Sequence, residues 1–238
     1  MLEVEGPTAP ASGPADDNLV LRAARALAER APGLRLGHFR LIKLLPVAAG
    51  LGGGSSDAAA ALRALAHAND IASDDPRLWD AARATGADVS VCLEPCARTM
   101  AGIGDRIGPA LGIAPLPAVL VNPRVAVPTP QVFAGLGLAR GETSGHGPAP
   151  DLASDGGDFV AALRLGRNDL QASAEAIAPA ISDALAALAA EPGVRLARMS
   201  GSGATCFAIY EDRRAASRAA RALKRARPEW WVRATYLR

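Results

Sequence analysis

The stretch Pro46-Val47-Ala48-Ala49-Gly50-Leu51-Gly52-Gly53-Gly54-Ser55-Ser56-Asp57-Ala58-Ala59-Ala60-Ala61-Leu62 decides how the chain reads. Its first half does not suit regular structure, because it carries Pro46 and has glycine at 50, 52, 53 and 54. Its second half is rich in alanine and leucine, and Ser55, Ser56 and Asp57 stand where a helix opens. Glycines let backbone N–H groups turn toward one point with no side chain in the way. The helix that follows adds unpaired N–H groups and the positive end of its dipole. Such a loop is an anion site suited to the phosphates of a nucleotide. Ser55 and Ser56 add hydroxyls for phosphate or magnesium. No Gly-Lys-Ser or Gly-Lys-Thr occurs, and the glycines lack the G-x-G-x-x-G spacing, so neither the Walker loop nor a dinucleotide fingerprint fits. A flexible glycine linker ahead of a capped helix is the bland alternative.

Upstream, residues 1–15 read as a strand end and a loop, and Asp16-Asp17-Asn18 caps a helix beginning at Leu19 and ending at Pro32-Gly33. His38 to Leu45 alternates as a strand. Downstream, Asp75-Pro76 opens a helix to Thr85, and Gly86-Ala87-Asp88 leads into a short strand, Val89 to Leu93. Residues 97–108 suggest a hairpin. Residues 117–123 are an apolar strand, and turn chemistry follows over 125–136. Residues 139–158 are polar and rich in Gly, Pro and Ser, as a surface loop would be. Helices are expected at about 158–165 and 168–190. The chain then reads strand, glycine turn, strand, a basic helix over 211–227 and a last strand, which suits a small α/β sandwich. The basic helix places alanines and Leu223 at helical spacing and reads as a solvated amphipathic element.

In 238 residues, 50% are hydrophobic and 21% charged, enough for a sizeable core in one or two domains. Aromatics make up only 4%, so the core must pack with small side chains. A net charge of +2 does not suggest a nucleic-acid binder, which usually carries a concentrated basic stripe. Residues 174–190 are broken by Glu175, Pro179 and Asp183 and do not suit a membrane span. The acidic, Pro-rich start does not read as a signal peptide. Cys92, Cys96 and Cys206 form neither a disulfide framework nor a zinc set, so no protein metal site and a reducing, cytoplasmic setting are expected. His38, His67 and His146 form no constellation. Lysine is scarce: only Lys43 and Lys224 occur.

The Pro46–Leu62 stretch resembles the second motif of the GHMP kinases. Its triple glycine with Ser-Ser-Asp-Ala-Ala is similar to the branch that phosphorylates a cytidine-diphosphate-linked polyol of non-mevalonate isoprenoid synthesis. Other segments carry the same resemblance: Asp16-Asp17-Asn18-Leu19 with Arg22-Ala23-Ala24-Arg25, Gly86-Ala87-Asp88-Val89, Pro128-Thr129-Pro130 with Val132-Phe133, and Arg198 to Ala204. It implies an α+β fold, the GHMP-kinase-like two-domain α/β sandwich. A ribosomal-S5-like domain (1–112) would be followed by a ferredoxin-like domain (113–238). It implies ATP and magnesium as cofactors, and no nucleic-acid or membrane partner. Lys43, Asn18, Pro46, Val47, Ala48, Ala49, Gly50, Leu51, Gly52, Gly53, Gly54, Ser55 and Ser56 would bind the nucleotide, with Lys43 near the adenine.

The same resemblance implies that Asp88 is the catalytic base, that Phe133 stacks on the cytosine, and that Gly201 and Gly203 reach the substrate side. The residues alone leave alternatives: Asp88 as a turn cap, Phe133 in the core, Lys43 as an exposed strand-edge lysine. At position 134, often lysine in relatives, stands Ala134. Members of the family begin with a strand carrying Pro-Ala-Lys-x-Asn and a later Asp-Gly-Tyr-His segment, and neither occurs here. The expectation is that the opening strands of the first domain are missing, through a start codon assigned too late or a genuine truncation. An inactive nucleotide-binding remnant, or another GHMP kinase such as a homoserine kinase, are the competing functions.

Overall fold

The computed structural model describes residues 1–139, 141–143, 145, 150, 152 and 158–238. They divide into two units: Met1–Val47 with Gly52–Gly112, and Ala48–Leu51 with Ile113–Arg238.

In the first unit, β1 (Leu2–Glu5) pairs in parallel with β2 (Phe39–Ile42), Leu2 opposite Phe39, and α1 (Leu19–Arg30) connects them. Asn18 starts α1 by accepting from the Val20 amide at 3.0 Å, which satisfies one of the helix's open donors. Then come α2 (Gly53–Ala68), α3 (Pro76–Thr85) and α4 (Ala87–Val91), and a hairpin of β3 (Arg98–Ala101) and β4 (Arg106–Ala110). Asp75 caps α3 through the Arg77 amide, with Pro76 in the first turn, where its missing N–H costs nothing. Ala23, Ala58, Ala59, Ala81 and Ala82 are fully or almost fully buried where α1 meets α2 and α3. Alanine there lets the helix backbones approach closely while Leu27, Leu62 and Leu65 fill the remainder.

The second unit holds β5 (Leu116–Asn122), α5 (Thr129–Ala134), α6 (Phe159–Leu165), α7 (Gln171–Ile177), α8 (Ala180–Ala189), β6 (Val194–Met199), β7 (Cys206–Tyr210), α9 (Arg213–Ala226) and β8 (Trp231–Leu237). The sheet is antiparallel in the order β6-β7-β5-β8. Helix α8 lies on β6 and β7, and α9 on β5, β7 and β8. This strand order with two covering helices is the ferredoxin-like arrangement expected from the sequence. On α9, Ala215, Ala216, Ala219, Ala220 and Leu223 are buried and the arginines face water, as the spacing requires.

Three expectations change. Residues 89–93 do not form a strand: Val89 and Ser90 are buried within helix α4 and Asp88 is exposed. The β-branched composition of so short a run does not separate helix from strand. The 168–190 helix breaks at Ala178 (φ −138°, ψ 89°), because the residue before Pro179 is driven out of the helical region. The segment read as turn chemistry contains α5, with Pro130 in its first turn. The polar stretch 139–158, including His146, falls largely outside the described residues.

Candidate active site

The glycine loop contributes to both units. On the first-unit side, α2 begins one turn earlier than its polar residues suggest: Gly52 precedes it at φ +64°, and the Ser56 amide donates to Gly52 O at 2.9 Å. The N–H groups of Gly53, Gly54 and Ser55 therefore have no protein acceptor among the described residues. This is the open amide set that an anion needs. A Cβ on Gly54 would stand 3.3 Å from Leu19 Cδ1, so this glycine lets α1 and α2 start side by side. That places Asn18 beside the loop, although its Oδ1 is committed to the α1 cap.

Lys43 and Asp57 meet around the base of this loop, Nζ donating to Oδ2 at 2.7 Å. Lys43 is therefore paired and mostly buried, not an exposed strand-edge lysine. Ser56 Oγ lies 3.6 Å from Cys92 Sγ, at the end of α4. Helix α4 packs on α2 and α3 through buried Val89 and turns Asp88 outward. Asp88 forms no ion pair among the described residues.

In the second unit, Ala48–Leu51 is bound to the turn that follows β6. Ser200 Oγ donates to Gly50 O at 2.7 Å, and the Thr205 amide donates to Ala49 O at 3.3 Å. Gly50 has φ +70°, and a Cβ there would stand 2.4 Å from Ser200 O, so only glycine fits. The structure thus joins Ala49 and Gly50 to the Gly201–Gly203 turn, two segments 150 positions apart in the chain. Asn168 braces this turn by donating from Nδ2 to Met199 O (3.0 Å) and Gly201 O (2.8 Å). Thr129 Oγ1 and Ser202 Oγ hydrogen-bond at 2.9 Å, which ties the start of α5 to the turn. On α5 the buried residue is Val132, and Phe133 is 54% exposed. The core-phenylalanine alternative is therefore excluded.

Sequence reasoning missed Asp57 as the partner of Lys43, and missed Asn168 and Thr129. Asp57 carried only a helix-opening signal, and Asn168 lies in an otherwise featureless Arg-Asn-Asp run. The site fits a nucleotide phosphate through its open amides and glycine-lined approach. The described residues hold no group of three or more His, Cys, Asp or Glu side chains placed for a metal.

The fold and this loop define a small-molecule kinase of the GHMP class. The family model for the GHMP kinases N terminal domain matches residues 18–94, and that for the GHMP kinases C terminal matches 150–229. Two relatives named 4-diphosphocytidyl-2-C-methyl-D-erythritol kinase, from Methylobacterium radiotolerans and Methylorubrum extorquens, are each 60% identical to the chain. The matches cover 100% and 99% of this chain and 82% of each relative. A crystal structure of 4-(cytidine 5'-diphospho)-2C-methyl-D-erythritol kinase is 32% identical and superposes with TM-score 0.75 over the whole chain and 82% of its own. A homoserine kinase from Cytophaga hutchinsonii, at 16% identity and TM-score 0.69, shares the fold. The chain belongs to the GHMP kinases, among the 4-diphosphocytidyl-2-C-methyl-D-erythritol kinases. No helix among the described residues is long and apolar enough to cross a membrane.

Proposed function

We infer that the protein transfers the γ-phosphoryl group of ATP to a hydroxyl of 4-diphosphocytidyl-2-C-methyl-D-erythritol. The observation that carries this is 60% identity over the full chain to relatives of that name, and the open amides of Gly53, Gly54 and Ser55 support it. In the reaction the substrate hydroxyl oxygen forms a bond to the γ-phosphorus, the bond to the β–γ bridging oxygen breaks, and ADP leaves. Catalysis of this kind is positioning and charge stabilisation. The amides of the loop would bind phosphate oxygens, and bound magnesium supplies further charge neutralisation. Asp88 is the base: its exposed carboxylate orients the hydroxyl and takes its proton as the new bond forms. Phe133 offers its exposed ring to the cytosine of the substrate. Gly201 packs against the Gly50 backbone and Gly203 is buried toward Met199 and Ile181, so these two glycines shape the turn and do not face substrate; Lys43 contacts the nucleoside of ATP.

The test is ATP-dependent phosphorylation of 4-diphosphocytidyl-2-C-methyl-D-erythritol, with homoserine and mevalonate as controls. Phosphorylation of the first substrate alone is the expected result, and transfer to either control instead would overturn it. ATP binding without transfer to any of the three would identify a nucleotide-binding remnant.

A further inference from the structure

Lys43 is fixed from several directions. Its amide donates to Glu5 O at 2.7 Å, and its carbonyl accepts from the Thr8 amide (3.4 Å) and Thr8 Oγ1 (3.1 Å). Gly6, at φ +104°, admits that carbonyl, because a Cβ there would stand 2.5 Å from it. The Lys43 side chain is 13% exposed and ends on Asp57 Oδ2 at 2.7 Å. This contact links the residue three positions before Pro46 to α2 just after the glycines, and so spans the base of the loop.

The charges of the pair constrain each other. A bare Asp57 carboxylate in the second turn of α2 would oppose phosphate at the open amides, and Lys43 cancels that charge. Once cancelled, Lys43 is a poor counter-ion for phosphate. Its ammonium keeps two further N–H donors, and these suit an uncharged acceptor, a ring nitrogen of the base or a ribose oxygen. We propose that Asp57 is a positioning residue of the nucleotide site: it holds the Lys43 ammonium for an uncharged acceptor on the nucleoside and keeps its own charge from the phosphates. This rests on Lys43 being a nucleotide contact, as read above.

The test measures calorimetric affinities for ATP and for inorganic tripolyphosphate on the unaltered chain and on Asp57→Asn, Asp57→Glu, Lys43→Met and the double variant Lys43→Met/Asp57→Asn. Asp57→Asn is expected to weaken ATP about tenfold, the worth of one well-placed charge-assisted hydrogen bond. Tripolyphosphate should bind it as tightly or more tightly. Asp57→Glu should recover part of the ATP affinity, and the double variant should bind ATP no more weakly than Lys43→Met. Equal weakening of both ligands in Asp57→Asn would mean structural damage only and overturn the proposal. Additive losses in the double variant would make Asp57 independent of Lys43 and overturn it too. If Lys43→Met weakens ATP while Asp57→Asn does not, the lysine contact stands and the role of Asp57 falls. If Lys43→Met leaves ATP unchanged, or the unaltered chain binds neither ligand, both readings fall together.

Discussion

Three residues bear the sharpest consequences. Asp88 projects from a short helix whose neighbour Val89 is locked in the core, so replacing the carboxylate should leave the backbone in place. Asp88→Asn is expected to lower turnover by about 10²–10⁴-fold while calorimetric ATP affinity is retained; unchanged turnover would remove Asp88 as base. Gly50 is the opposite case, a residue with no chemistry and no latitude. Gly50→Ala adds a left-handed strain of about 1–3 kcal/mol and drives a methyl against the Ser200 carbonyl. Its melting temperature and its ATP affinity should both fall. Cys206 is shut in the core, where burial and the nearby Glu175 charge push its thiol pKa up to about 12. Thiol titration near pH 8 should therefore count Cys92 and Cys96 in the folded protein and Cys206 only after unfolding.

At the scale of elements, helices with a side-chain cap were legible, α6 included, and short ones without such a cap were not. Asn18 and Asp75 announce α1 and α3 because their side chains bond the amides they precede. The strands of the second unit show in their apolar runs, and the glycine loop in its composition. Helix α4 was hidden because five residues do not carry a period, whereas the α7–α8 break falls at Pro179, which the sequence shows interrupting the 174–190 run. The residues that assemble the site were the least legible, since Asn168 and Thr129 act through contacts distant in sequence from their partners. Asn168→Ala should cost about 1–2 kcal/mol by leaving the carbonyls of Met199 and Gly201 without this donor, and urea titration measures it. A loss confined to the turn should also weaken ATP.

For the molecule as a whole, three ion pairs set an acid limit. Hydrogen bonds from Arg40, Arg77 and Arg195 hold the carboxyls of Glu5, Asp75 and Asp158 below their ordinary values. A carboxyl with a lowered folded pKa stabilises fully above its unfolded value and loses that contribution as pH falls through the folded one. The melting temperature should thus decline as pH drops below about 4, the ordinary carboxylate range, and added salt should flatten the part of the decline due to the solvent-facing Glu5–Arg40 and Asp158–Arg195 pairs. The scarcity of aromatics has its structural counterpart in the alanines joining α1 to α2 and α3. Such a layer tolerates loss better than growth. Ala58 or Ala81 can shed only one methyl, whereas enlarging either to valine overpacks a closed contact at about 1–3 kcal/mol. Neutral drift at these positions is therefore nearly frozen unless a gain on one helix is matched by a loss on the helix facing it. Covariation across that seam is the evolutionary signature this packing is expected to leave.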